Sequence, residues 1–350
     1  MNKPRVSVII PSYNHEAFIA SAVQSVLDQT YAAVEVIVVD DGSHDRSLDV
    51  LRRFEHNAKV RVVRQVNEGA HAAINRGLVL ANGEYCAILN SDDEYHPRRL
   101  ERLTETIDGD GAEALAITDL NMIGAAGEPL QGQQTGLYAG LVASATGLEG
   151  SELFLVGNVA FTTSNLFFSR RLLERVGMFR NLRYTHDWDW VLRASECAAV
   201  RWLREPLLRY RIHGRNTIME QNLWRHIAEN AFVFAGLITR RRRFYQISVE
   251  EVMHNVLGLL VRNDSFLPLP VLLFAVLLLS GQDEAEVLRS LNNGELVAAL
   301  EREFTASGLP MEMALSSKAL SEQLRSRGSL RASRNMLQRL RQGWNRITSR

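Results

Sequence analysis

The sequence predicts an α/β protein built on a mostly parallel sheet flanked by helices. Three observations predict it. Strand and helix patterns alternate strictly over residues 1–120. The strand segments are near-continuous apolar runs, as strands covered on both faces read. Polar, turn-forming and acidic residues follow each of the first four strands, which places them on one rim of the sheet.

Each element has its own signal. Arg5 to Ile10 is an apolar strand, and His15 to Gln29 carries Phe18, Ile19, Val23, Val26 and Leu27 at helical spacing. Val34 to Val39 is the second strand, followed by a helix over Asp45–Phe54 with Leu48, Leu51 and Phe54 on one face. Val60–Val63 is a strand, and Ala70–Leu80 is a helix stopped by Asn82-Gly83. Glu84–Leu89 is the fourth strand. Pro97 opens a helix to Ile107, and Ala114–Thr118 is the next strand. Asp119 to Glu149, rich in Gly, Ala and Gln, reads as a loop or insertion. Thr162–Phe168 reads as a strand, after which Ser169 caps a helix over Arg170–Val176 that Gly177 ends. A further helix starts at His186. Val200–Leu203 and Leu207–Tyr210 read as two short extended runs, and the chain beyond Gln221 is helical in pattern.

Composition bounds the function class. The chain has 350 residues, 46% hydrophobic and 23% charged, with formal net charge +0, so no global field points to nucleic acid. Its cysteines, Cys86 and Cys197, do not form a disulfide framework, and a reducing cytoplasmic setting is expected. The longest apolar run, Phe266–Ser280, falls short of the roughly 20 residues a spanning helix needs.

The rim holds the candidate chemistry. It comprises Pro11-Ser-Tyr-Asn14, Asp40-Asp-Gly-Ser43, Asn67-Glu-Gly69 and Asn90-Ser-Asp-Asp93. No glycine-rich dinucleotide or phosphate loop follows the first strand. A phosphorylated ligand then needs another counter-charge. Asp92 and Asp93 are hard oxygen donors of the kind that hold Mg²⁺ or Mn²⁺ against substrate phosphates.

Val6 to Asn14, Val38-Val-Asp-Asp-Gly-Ser43, Asn67-x-Gly69 with Asn75-Arg-Gly77, and Leu89-Asn-Ser-Asp-Asp93 with Pro97 occur in a telling order and spacing. Over about residues 4–215 the chain resembles the family 2 glycosyltransferases, which have the GT-A fold, a Rossmann-like, mostly parallel sheet. The resemblance implies an inverting, metal-dependent transferase. Its donor would be a nucleotide-diphosphate sugar, UDP-linked by preference, and its acceptor a glycan or lipid-linked hydroxyl of cell-surface polysaccharide synthesis. Pro11 and Tyr13 would line the base pocket, Asp40 or Asp41 would bond the base, and Asn67 would belong to the same nucleotide rim. Asn90, where many members carry Asp, would meet the ribose, and Asp92 the metal, with Asp93 as second ligand or structural partner. His186-Asp-Trp-Asp189 with Leu192-Arg193 resembles the family's acidic base segment, with His186 in place of Glu; Asp187 is the expected base and Asp189 its rival. Tyr210-Arg-Ile-His213 resembles the segment near the diphosphate, which gives Arg211 to the donor and His213 to the metal or to a phosphate oxygen. Asn158 and Thr162–Asn165 are expected beside the acceptor. The alternatives are a non-catalytic nucleotide- or glycan-binding module and a nucleotidyltransferase.

Two domains are expected, 1–215 for donor and acceptor and 216–350 as a helical C-terminal region. Arg240–Arg243 is a basic cluster, and Lys318–Arg350 holds nine Lys or Arg against Glu322, with Leu337, Leu340, Trp344 and Ile347 on one helical face. Such a tail suits peripheral contact at the inner face of the plasma membrane.

Overall fold

The computed structural model describes residues 5–107, 113–214, 216–217, 220, 222–245 and 282–306. The chain divides into two units, Met1–Met219 and Glu220–Arg350.

The first unit is built on an eight-stranded sheet in the order β3-β2-β1-β4-β7-β6-β8-β5. The strands are β1 (Val6–Ser12), β2 (Val34–Asp40), β3 (Val60–Arg64), β4 (Tyr85–Ile88), β5 (Glu94–Tyr95), β6 (Ala114–Ile123), β7 (Phe167–Ser169) and β8 (Ala199–Arg211). The helices are α1 (Ile19–Leu27), α2 (Ser47–Leu51), α3 (Ala70–Leu80), α4 (Arg99–Ile107), α5 (Gly136–Ser144), α6 (Arg170–Val176) and α7 (His186–Ser195).

β1 pairs in parallel with β2 and β4, and β2 with β3. One face of β1 presents Val6, Val8 and Ile10 to a core shared with Ile19, Val23 and Val26 of α1. The opposite face carries Ile9 against α3. There the chain passes so close that a β-carbon on Gly77 would meet the Ile9 side chain at 2.3 Å. Both faces are covered, which is why these strands read as unbroken apolar runs.

The sheet changes character beyond β4. β7 runs antiparallel to both β4 and β6, while β6 and β8 pair in parallel, and β5 pairs antiparallel to β8. Three expectations are corrected here. Thr162–Phe168 is not one strand: the Thr162 hydroxyl accepts from the Ser164 N–H at 3.3 Å and winds Thr163–Asn165 into a 3₁₀ turn, leaving a three-residue β7. The segment read as a loop from Asp119 continues β6 to Ile123 and later forms α5. Val200–Leu203 and Leu207–Tyr210 are one strand, β8, whose register against β6 slips between Thr118 and Leu120, where Asp119 faces Pro206. Proline has no N–H for the ladder, so the pairing skips there.

In the second unit α8 (Leu223–Tyr245), α9 (Glu284–Asn292) and α10 (Glu295–Ala306) form the described helices. No helix among the described residues is long and apolar enough to cross a membrane. The apolar run Phe266–Ser280 and the basic tail lie outside the described residues, as do the side chains of Arg241–Arg243.

Candidate active site

The first rim cluster follows from strand ends in register. Ser12 faces Asp40 as the last pair of β1 and β2. Beyond them Asn14 takes a left-handed φ of 53°, which Asn tolerates better than most residues. Its side-chain oxygen accepts from the His44 N–H at 2.8 Å, and its own N–H donates to Ser43 Oγ at 3.0 Å. Gly42, at φ +76°, packs so closely that a β-carbon would lie 3.0 Å from the Asn67 nitrogen.

The structure separates the two aspartates after β2. Asp41 is filled: its carboxylate accepts from Gln65 Nε2 at 2.8 Å, the Glu68 N–H at 2.9 Å and the Gly69 N–H at 2.8 Å. It therefore shapes the Asn67–Gly69 loop that leads into α3. Asp40 is buried, with Oδ1 accepting from the Ser43 N–H at 3.0 Å and Oδ2 lacking any partner among the described residues. Ser12 Oγ beside it also lacks one. Of the pair, Asp40 is the one with an acceptor to spare. Pro11 is buried in β1, Tyr13 is 40% exposed with its ring edge-on to His44, and Asn67 is exposed.

The second cluster follows β4. Asp92 Oδ2 lies 3.0 Å from His213 Nε2 and 3.4 Å from Asn216 Nδ2. Asn216 Oδ1 accepts from the His213 N–H at 2.6 Å, and the His213 ring packs between Phe18 and His15, with centroids 4.9 and 5.6 Å away. One donor atom each from His15, Asp92 and His213 lies within 4.8 Å of the others. One carboxylate and two imidazoles form a donor set that fits a divalent cation. His15 is absent from the sequence-based ligand set. The signal was its place one residue beyond the first rim cluster. Ser91 Oγ, 2.7 Å from His15 Nδ1, orients the ring.

Three expected ligands are engaged elsewhere. Asp93 is 1% exposed, and its oxygens accept from Ser164 Oγ at 2.5 Å and the Arg211 N–H at 2.8 Å. Burial, then the charge of Asp92, pushes its carboxyl well above the ordinary range. Asp93 thus ties β8 and the 3₁₀ turn to the rim and stands outside the donor group. The Arg211 guanidinium is likewise committed. It donates to the Asp92 carbonyl at 2.8 Å, to the Gly124 and Ala125 carbonyls at 3.1 and 3.2 Å, and to Glu94 Oε1 at 2.5 Å. Four of its five N–H groups thus brace the loop that carries Asp92. Asn90 Nδ2 donates to Thr162 Oγ1 at 3.0 Å while its Oδ1 accepts from Thr163 Oγ1 at 3.3 Å. An amide serves both hydroxyls; a carboxylate at this position has no N–H to give.

At the start of α7 the two acids have different fates. Asp189 is 1% exposed and sits between Arg180 at 3.3 Å and Arg193 at 2.9 Å. Asp187 has no arginine or lysine partner among the described residues. It accepts from the Trp188 N–H at 2.7 Å and from Asn158 Nδ2 at 2.9 Å, and burial raises its carboxyl pKa against the lowering influence of His186 and these donors. Trp190 is fully buried, stacked 5.1 Å from Phe179, and the indole N–H of Trp188 donates to the Phe154 carbonyl, so both tryptophans belong to the core. His71, in the first turn of α3, is held below its usual pKa by burial and then by His186, which brings the start of α3 and α7 to one space. Tyr210 makes the same link: burial and the charges of Asp93, Asp92 and Asp187 all push its phenol up.

Comparison with known proteins bears on the family and the fold. The profile of "Glycosyl transferase family 2" matches residues 7–121. An uncharacterized glycosyltransferase of Nostoc sp. is 31% identical over 232 residues, covering 61% of this chain and 67% of the relative. A putative teichuronic acid biosynthesis glycosyltransferase, TuaG of Bacillus subtilis, is 39% identical over 130 residues, 37% of this chain and 51% of its own. The crystal structure of S. aureus TarS residues 1–349 in complex with UDP-GlcNAc superimposes with a TM-score of 0.51 at 19% identity, covering 74% of this chain and 80% of that one, a likeness of fold. A GT-A sheet with its acidic rim, matched by profile and by relative, makes this chain a member of glycosyl transferase family 2.

Proposed function

We propose that this chain is an inverting glycosyltransferase that moves a sugar from a nucleotide-diphosphate donor, UDP-linked by preference, to a hydroxyl of a glycan or lipid-linked acceptor in polysaccharide synthesis. Asp187 is the base. As the acceptor oxygen bonds to the anomeric carbon on one face, the bond to the diphosphate oxygen breaks on the other. The bonding pair leaves with the diphosphate, and the hydroxyl proton passes to the Asp187 carboxylate. Asp40, with its unpartnered Oδ2, accepts an N–H from the nucleobase. A uracil offers that N–H at its imide, and Tyr13 offers a ring face to the base. Asp92, His213 and His15 are the residues that would hold a divalent cation, Mn²⁺ or Mg²⁺, which when bound sets positive charge against the departing diphosphate.

The observation that carries this reading is the sorting of the two acids of α7. Asp189 is neutralised by Arg180 and Arg193, whereas Asp187 has no arginine or lysine partner among the described residues and sits beside His186. Asp187→Asn is expected to lower transfer by about 10²- to 10⁴-fold while UDP binding, followed by calorimetry, stays within about threefold of the parent. Unchanged turnover in that variant overturns the assignment. Asp189→Asn loses a buried ion-pair partner and is expected to show its damage first as a lowered melting temperature.

A further inference from the structure

Asp187 is flanked by two buried polar atoms that the proposed chemistry leaves unused. Asn158 donates its amide Nδ2 to Asp187 Oδ2 at 2.9 Å. An ionised carboxylate only accepts, so the amide nitrogen must face it and the amide oxygen must point elsewhere. That oxygen, Oδ1, is buried and has no hydrogen-bond partner among the described residues. His186 precedes Asp187 in the first turn of α7. Its Nδ1 lies 3.2 Å from the Leu182 carbonyl, which also only accepts, so Nδ1 carries the ring proton. In the neutral imidazole Nε2 is then an acceptor, and it too is buried without a partner among the described residues. Two unfilled acceptors stand next to the base, one bonded to it and one adjacent in the chain. Buried polar groups of this kind are nearly always satisfied, so each calls for a donor from outside the described residues.

We propose that Asn158 Oδ1 and His186 Nε2 are positioning groups that accept hydroxyl protons from the acceptor, and that the acceptor is polyhydroxylated: a sugar ring or open-chain polyol with hydroxyls neighbouring the one that attacks. The proposal rests on the reading of Asp187 as the base. It separates acceptors bearing several hydroxyls from those bearing one, such as a simple alcohol or a hydroxyl side chain. Two acceptors and no donor match a partner that presents O–H groups in series. They disfavour a carboxylate or phosphate at this position, which would bring only further lone pairs. Asn158 then acts at both ends of its amide, orienting the base through Nδ2 and the acceptor through Oδ1.

The test uses the full chain with UDP and Mg²⁺, and saturation-transfer NMR with three probes: methyl β-D-glucopyranoside, sorbitol and 1-propanol. Binding of either polyhydroxylated probe at least about tenfold tighter than 1-propanol is expected, the size of one unmet buried hydrogen bond; which of the two binds assigns ring or open chain. In His186→Phe and Asn158→Leu the preferred probe should weaken about tenfold while 1-propanol is unmoved, and His186→Gln, which keeps an acceptor oxygen, should recover most of the loss. Equal binding of 1-propanol to the unaltered protein overturns the proposal without recourse to any variant. Undiminished probe binding in both variants overturns it as well, since fixed water then fills the two acceptors. Asp187→Asn assayed alongside keeps the two readings apart: full transfer activity there fails the base assignment, whereas the probe ranking fails or upholds the acceptor proposal.

Discussion

Asp187 shows how one residue's surroundings set its chemistry. A base must be ionised to take a proton, so kcat/KM rises with pH through the carboxyl pKa. Burial raises that pKa above its ordinary value near 3.8. The acid limb of the pH profile is therefore expected above about pH 4; a limb at or below the ordinary value contradicts the assignment. The stability sign runs the other way from a salt-bridged acid. A carboxyl whose folded pKa is raised contributes fully below its unfolded pKa, and that contribution is lost as pH rises through the folded value. Asp187→Asn is thus expected to melt no lower than the parent at neutral pH, which calorimetry checks. Motif position alone points to Asp187 over Asp189, and the charges that neutralise Asp189 come from Arg180 and Arg193, whose reach depends on the fold. Asp92 is legible in the sequence as an acid at a strand end, and His213 only through the resemblance of Tyr210-Arg-Ile-His213 to a family segment. The inward turn of Asp93 and Arg211 is not, because an acid beside an acid reads alike whether it faces solvent or a serine hydroxyl.

Elements differ in how far local pattern determines them. α3 spans Ala70–Leu80, matching its apolar spacing, because one face packs on β1 and both ends carry their own stop signals. β7 is shorter than its pattern predicts because a hydroxyl cap inside Thr162–Asn165 outcompetes β propensity, a contest that composition does not reveal. The turn is then held by Arg99 of α4. This guanidinium is fully buried, bonds Thr118 Oγ1, and donates to the Asn165 carbonyl and Oδ1 at 3.1 and 2.9 Å. Asn165 in turn donates to the carbonyls of Thr118 and Ala160 at 2.8 and 3.1 Å. One arginine thereby joins α4, β6 and the turn that carries Thr162, Thr163 and Ser164 beneath Asn90 and Asp93. Its neighbour Arg98, with a side chain 58% exposed, looks identical in sequence. Arg99→Met leaves the Asn165 carbonyl without this donor, while Asn165 Oδ1 keeps the Thr118 N–H at 3.0 Å, and a loss of about 1–3 kcal/mol is expected in urea unfolding. Arg99→Lys should recover little of it, since an ammonium lacks the two-pronged geometry. A loss under about 1 kcal/mol in Arg99→Met would show that the turn is held by something else.

At the scale of the whole chain, every residue assigned to donor, cation or base lies within Met1–Met219, the first compact unit. That unit has its own apolar core, drawn from β1, β2, β4, β6 and the helices α1 and α4. A fragment of residues 1–219 is therefore expected to fold and to keep the donor site. Ligands that bind only the folded state raise its stability by mass action, about 2.7 kcal/mol at a hundredfold excess over Kd. For a unit of this size that is a rise of roughly 5–10 °C in melting temperature. UDP and cation together should give this rise in the fragment as in the full chain, since Asp92, His213 and His15, the residues that would hold the cation, all lie in the fragment, and either alone should give much less. Two imidazoles beside one carboxylate favour Mn²⁺ over Mg²⁺, which prefers an all-oxygen, largely hydrated shell. The Mn²⁺ curve should accordingly saturate at lower concentration. A response in the full chain that vanishes in the fragment would assign part of the donor site to Glu220–Arg350. Equal half-saturation for the two cations would remove His15 from the donor set and leave Asp92 as the principal anchor.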